Sequence, residues 1–149
     1  MLKAPTNILV PTDFSPQAEN ALDYACTLAG KLGATVHLLS VISIPALGVP
    51  ELGAALTASA IDDMVRDNKV ALDKLADARR TTAPIGQVVL RTGDARDLIP
   101  AVAEELGADL IVMGTHGRRG LSRVLLGSVA EYVVRVSKVP VLTVRGGKK

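Results

Sequence analysis

Tryptophan is absent from the 149-residue chain, phenylalanine occurs once and tyrosine twice. With aromatics at 2% and hydrophobic residues at 48%, a core must be assembled from Val, Leu, Ile and Ala. The same scarcity argues against a nucleic-acid partner, whose bases stack on aromatic side chains. The net charge is only +2, and Lys148 and Lys149 lie on a loose tail, so no concentrated basic face is expected. The single cysteine, Cys26, excludes an internal disulfide and reads as a small buried thiol within a helix. No apolar run reaches the roughly 18 residues of a membrane span. Met1-Leu2-Lys3-Ala4-Pro5 does not open a secretory signal. One cytoplasmic domain over residues 1–149, with no membrane contact, is the expectation.

What is present alternates between strand and helix patterns. Asn7 to Thr12 is an apolar run suited to a strand buried on both faces. Ser15 suits a helix N-cap, Pro16 the first helical position and Gly33 the stop. Thr35 to Ser43 reads as the second strand, with His37 as a satisfied or partly exposed histidine. Ile44 to Gly53, rich in proline and glycine, reads as a loop, and residues 44–55 as a candidate lid. A second helix is expected from about Leu56 to Arg80, its mixed charges forming a solvated face. Val88 to Arg91 is a third strand, followed by a helix to about Leu106. Either Asp94 caps that helix, leaving Pro100 inside it, or Asp97 does, which puts Pro100 in the first turn. Leu110 to Met113, a helix from about Gly127 to Ser137, and Val139 to Arg145 complete the pattern. Such alternation implies an α/β fold, a parallel sheet with helices on both faces.

The densest chemistry lies between the fourth strand and the last helix. Gly114, Gly117 and Gly127-Ser128 punctuate a loop that also carries His116, Arg118, Arg119 and Arg123. Side-chain-free backbone approaches a ligand closely, and a helix start offers N–H groups to an anion. The loop reads as a phosphate cradle. It is not a Walker loop, lacking Gly-Lys-Ser/Thr, nor the GxGxxG dinucleotide fingerprint.

Gly114-x2-Gly117-x9-Gly127-Ser128, following Asp109-Leu110-Ile111-Val112-Met113, resembles the nucleotide-binding motif of the universal stress protein family. Asn7 to Ser15 and Val139 to Val144 resemble that family too. The resemblance implies its ATP-binding branch and an open, doubly wound five-stranded parallel sheet of order 3-2-1-4-5. That architecture is Rossmann-like and similar to the adenine nucleotide alpha hydrolases. It implies a homodimer paired through Val139 to Val144, and a protein partner that the sequence does not identify. In that order the first and fourth strands meet where the winding reverses, and ligands of open α/β sheets bind there.

The resemblance also assigns roles. Pro11 lines the pocket, Met113 borders it, and the backbone of Val41 bonds the adenine edge. Gly114 and Gly117 let the chain approach ribose and phosphates. Gly127, Ser128 and Val129 donate backbone N–H groups to phosphate. Arg118 either reaches the outer phosphates, as do Arg119 and Arg123, or is solvated. Asp13 accepts hydrogen bonds from ribose hydroxyls, as a carboxylate can, or else serves as a cap or Asx-turn residue. The expected ligand is ATP or AMP, with Mg2+ carried by the phosphates. A bulky residue at Gly127 is expected to abolish binding and leave the fold intact.

Asp13 is the one carboxylate placed in the cleft, and no nucleophile–base pair is visible. Binding with slow ATP hydrolysis at most is therefore expected. The output would be a regulatory, stress-response change biased by the bound nucleotide. The competing readings are a nucleotide-free interaction module of the same fold and an enzyme that hydrolyses ATP or transfers adenylyl groups. A phosphorelay receiver is excluded, since Arg91-Thr92-Gly93 and Arg145 stand where its aspartate and lysine would be.

Overall fold

The structure, a computed structural model, describes residues 3–43, 51–116 and 126–146, and of residues 51–57 the backbone alone. The elements are β1 (Asn7–Thr12), α1 (Pro16–Leu32), β2 (Thr35–Ile42), α2 (Glu51–Arg79), β3 (Ile85–Thr92), α3 (Ala95–Glu105), β4 (Leu110–Gly114), α4 (Ser128–Val136) and β5 (Val141–Val144). The strands form one parallel sheet of order β3-β2-β1-β4-β5, the order that the resemblance implied.

Side chains alternate across the pleat, so each strand feeds two cores. Ile8, Val10, Val36, Leu38 and Val112 face α1 and α2; Leu9, Leu39, Val89, Ile111 and Met113 face α3 and α4. Parallel sheets need this cover on both faces. The scarcity of aromatics is met by close approach: Ala18, Ala21, Ala25 and Ala29 of α1 are all buried against the strands. Each fully buried Leu or Ile contributes about 2 kcal/mol.

Local chemistry sets the helix ends. Ser15 Oγ accepts from Ala18 N–H at 3.2 Å, Pro16 opens α1, and Gly33 closes it at φ +69°, a left-handed conformation that glycine adopts at little cost. At α3 the choice falls on Asp94, whose side chain accepts from Arg96 N–H at 2.9 Å. Pro100 therefore lies inside the helix, which forgoes one backbone bond there.

Several boundaries differ from expectation. Glu51 to Gly53 is helical rather than loop, because a glycine inside a long helix costs only about 1 kcal/mol. Residues 44–50 of the candidate lid lie outside the described residues. β3 begins at Ile85 and includes Gly86, where a Cβ would stand 2.5 Å from His37 Cε1. β5 begins only at Val141; Pro140 has no N–H to give, although its carbonyl takes the N–H of Ile111 at 3.0 Å. Cys26 is buried and free, and burial pushes its thiol up against the opposing bond from Thr82. Among the described residues, no helix is long and apolar enough to cross a membrane.

Candidate functional site

β1 and β4 are neighbours, with Ile8 set against Leu110 and Leu9 against Ile111. α1 leaves one face of the sheet and α3 returns on the other, so this pair is the switch point at which a cleft opens. Pleating assigns its walls. Leu9, Leu39 and Ile111 belong to the core under α3 and α4, and Val41 packs against the same core. Pro11, at even spacing from Leu9 in β1, lies on that side of the pleat too, and Asp13 follows just past the strand's end at Thr12. Pro11, Asp13, Val41 and Gly114 are half-buried, while Met113 is buried in the core under α3 and α4.

The β1–α1 turn is unusual. Phe14 has φ +64°, the one positive value at a non-glycine position among the described residues. Such a backbone costs about 1–3 kcal/mol and persists only when its surroundings over-determine it. Three contacts do so here. Phe14 N–H donates to Thr12 Oγ1 at 3.0 Å, Ser15 N–H donates to Asp13 Oδ1 at 3.0 Å, and the Phe14 ring packs against the core under α1. Asp13 thus does serve in an Asx turn. The other role weighed for it, ribose binding, uses a carboxylate already held in one orientation.

The second half of the cleft comes from α4. Gly127 is its N-cap and supplies no side-chain cap, and the first turn closes with Glu131 N–H on Gly127 O at 2.9 Å. The amides of Ser128, Val129 and Ala130 precede that first bond, so they have no intrahelical acceptor. Ser128 is exposed and Val129 half-buried. This helix start is tied to β4 by one residue. Thr115 takes Gly127 N–H on its carbonyl at 2.7 Å and gives its own N–H to Val144 O at 3.1 Å. Two distant stretches, Pro11 to Asp13 and Gly127 to Val129, are thereby brought to one edge of the sheet.

The glycines earn their places sterically. A Cβ on Gly127 would stand 3.0 Å from Thr115 O, and one on Gly114 would stand 3.2 Å from Gln17 O. Both are sites of close approach, not of positive φ. A side chain at 127 therefore requires Thr115 and the start of α4 to give by a few tenths of an ångström. Gly117, Arg118, Arg119 and Arg123 lie outside the described residues. His116 is half-buried and its Nδ1 lies 3.1 Å from Thr115 Oγ1.

The family model described as the universal stress protein family matches residues 5–145. The chain belongs to the universal stress protein family. Among its relatives, universal stress protein MJ0531 of Methanocaldococcus jannaschii is 35% identical over 95% of this chain and 83% of its own length. Universal stress protein MJ0577 of the same organism is 32% identical over 93% of both chains. The solved structure of universal stress protein UspA from Lactobacillus plantarum superposes with a TM-score of 0.85 at 28% identity, covering 97% of this chain and all (100%) of that one. A universal stress protein solved in complex with cAMP superposes at 0.70 with 25% identity, covering 97% of this chain and 100% of its own.

Within this universal stress protein fold, sequence reading missed Thr12, Phe14 and Thr115. Thr12 and Thr115 are buried, at 6% and 8% exposure, and act through hydrogen bonds that bind the cleft's two walls. A lone threonine beside a strand end carries no periodic or capping signal by which to find it. Among the described residues, no group of three or more His, Cys, Asp or Glu is arranged to hold a metal ion.

Proposed function

We propose that this member of the universal stress protein family binds an adenine nucleotide, ATP or AMP, in the cleft between β1 and β4, and serves as a nucleotide-dependent regulatory module. The observation that carries this is the convergence of a fixed carboxylate, Asp13, and an uncapped helix start, Gly127 to Val129, on one edge of the sheet. A ribose offers hydroxyl donors to the first, and a phosphate offers negative charge to the second. Pro11 and Val41 line the base end, Met113 underlies it, Gly114 admits the ligand closely, and Gly117 and Arg118, assigned to the phosphates by the family motif, lie outside the described residues. The existence of a family structure in complex with cAMP supports an adenosine phosphate as the ligand class. Mg2+ would enter with the phosphates.

The reading includes ATP hydrolysis that is slow at most, because the carboxylate of Asp13 is engaged by the Ser15 N–H and the sequence offers no nucleophile–base pair. It also includes one cytoplasmic domain and a homodimer through the β5 edge. All four β5 residues are half-exposed, and Val134 and Val136 of α4 are exposed, 46% and 41%. Unpaired apolar edges of this kind are ordinarily covered. Light scattering should give a dimer at micromolar concentration, and a monomer throughout would remove that part.

The direct test is calorimetry with ATP and AMP on the full chain, with acid extraction of any nucleotide that co-purifies. Binding is expected, and Asp13→Ala should weaken it by about tenfold or more through loss of a charge-assisted hydrogen bond. No heat, no extracted nucleotide and no difference in the variant would leave the nucleotide-free interaction module as the better reading.

A further inference from the structure

The left-handed turn after β1 does more than hold Asp13. Thr35 N–H bonds the Thr6 carbonyl at 2.9 Å, which fixes the side of β2 that addresses β1. Alternate residues of a parallel strand address the same neighbour, so Val41 directs its N–H and its C=O toward β1 as well. Thr12, set against Ser40, is the last residue of β1 in that register. The donor that would extend the ladder onto the Val41 carbonyl is the N–H of Phe14. That N–H is instead turned onto Thr12 Oγ1, 3.0 Å away, with Phe14 in its positive φ. Among the described residues, no turn or loop N–H takes its place on Val41. A backbone acceptor is left facing the base end of the cleft.

We propose that Thr12 is a specificity-determining residue of the nucleotide cleft: its buried hydroxyl captures the Phe14 N–H and so reserves the Val41 carbonyl for an amino group on the purine. The cleft then selects 6-aminopurines over purines with hydrogen or a carbonyl at that position. The inference rests on the adenine-nucleotide reading above and adds to it the residue that enforces the choice of base. Thr12 is buried and acts as a positioning residue, through Phe14 and Val41, without touching ligand. Valine keeps its shape but offers no acceptor, so a freed Phe14 N–H turns to the Val41 carbonyl, the next acceptor in the ladder. Serine keeps the oxygen.

The test is calorimetric titration of the full chain with ATP, inosine triphosphate and purine riboside triphosphate, the last lacking the amine. The native protein should prefer ATP to purine riboside triphosphate by about five- to tenfold, the value of one hydrogen bond with its unmet partner. Thr12→Val should bring that ratio to within about twofold of unity by weakening ATP binding alone. Thr12→Ser should retain the native ratio, a rescue that a purely steric role for Thr12 does not predict. Native selectivity in Thr12→Val overturns the proposal, as does a native protein that binds ATP and the amine-free analogue equally. Should Thr12→Val fail to fold, the native ratio and its persistence in Thr12→Ser decide. A native protein that binds none of the three nucleotides overturns the nucleotide reading itself.

Discussion

The two ends of this sheet are finished in opposite ways. At the amino edge the chain's own side chains close the polar groups across four strands. Gln87 N–H donates to His37 Nδ1 at 2.9 Å, His37 Nε2 lies 3.0 Å from Asn7 Oδ1, Asn7 Nδ2 donates to Thr6 Oγ1 at 3.4 Å, and Thr6 Oγ1 donates to Asp109 Oδ2 at 3.0 Å. Asp109 also accepts the backbone N–H groups of Thr6 and Asn7, each at 3.0 Å. At the carboxyl edge, Pro11, Asp13, Val41 and Gly114 stay half-exposed, and α4 begins without a side-chain cap. Polar groups satisfied internally stabilise the fold, whereas groups left facing a cleft are available to a ligand. Substitutions at the first edge should change stability, and those at the second should change affinity.

The strongest way to break that contrast is Gly86→Val. Its Cβ would meet the His37 ring at 2.5 and 2.7 Å and Thr35 Cγ2 at 2.8 Å, so the relay must open. A loss of about 3 kcal/mol is expected in urea unfolding, with ATP affinity of the folded fraction unchanged. A near-native midpoint would mean that the amino edge is not a structural latch.

Next in size is Asp109→Ala. Burial alone would raise the Asp109 carboxyl, but the bonds from Thr6 and Asn7 outweigh it and hold the group below its ordinary 3.8. Losing these charge-assisted bonds should cost about 2 kcal/mol. A depressed carboxyl contributes its stability above the unfolded value and loses it on acidification. The native protein should therefore weaken as pH falls below about 3.8, and Asp109→Asn should flatten that part of the curve. An unchanged acid limb in the variant would assign it to other carboxylates.

At the opposite edge, Asp13→Ala should cost about 1 kcal/mol of stability, the usual value of a lost turn or cap bond, beside its larger effect on nucleotide binding. If stability fell by as much as in Gly86→Val, the separation of roles between edges would collapse.

The smallest effect is expected from His37. Its Nδ1 accepts the Gln87 N–H, so the ring is neutral with its proton on Nε2, and burial lowers its pKa from 6.5. The unfolded chain takes up a proton first as pH falls, so a modest loss of stability should begin near 6.5 and end at the lower folded value. His37→Gln should remove that step, and its persistence would acquit His37.

β1 and α1 were legible to the residue: an apolar run, a serine cap, a proline at the first helical position and a closing glycine act through neighbours in the chain. The start of α2 was not, since Gly53 read as a loop residue by type while helix propagation carried through it. Nor was the start of β5, which read as strand from Val139 through Pro140, whereas Pro140 has no N–H for the ladder and the strand begins at Val141. Within the site, Asp13 and the Gly127-Ser128 pair stood out because acid at a strand end and glycine before a helix are patterns of residue type. Thr12, Phe14 and Thr115 did not stand out, because their importance lies in which hydrogen bond each completes.

By itself, then, the sequence determined the alternation of strands and helices, the apolar faces and the caps, all of which follow from forces acting over a few neighbouring residues. Only the tertiary structure decided that Thr115 joins α4 to β5, that Phe14 turns away from Val41, and that His37 needs a glycine across from it. Those outcomes depend on strand order and register, which bring together groups remote in the chain and whose geometry no local pattern encodes.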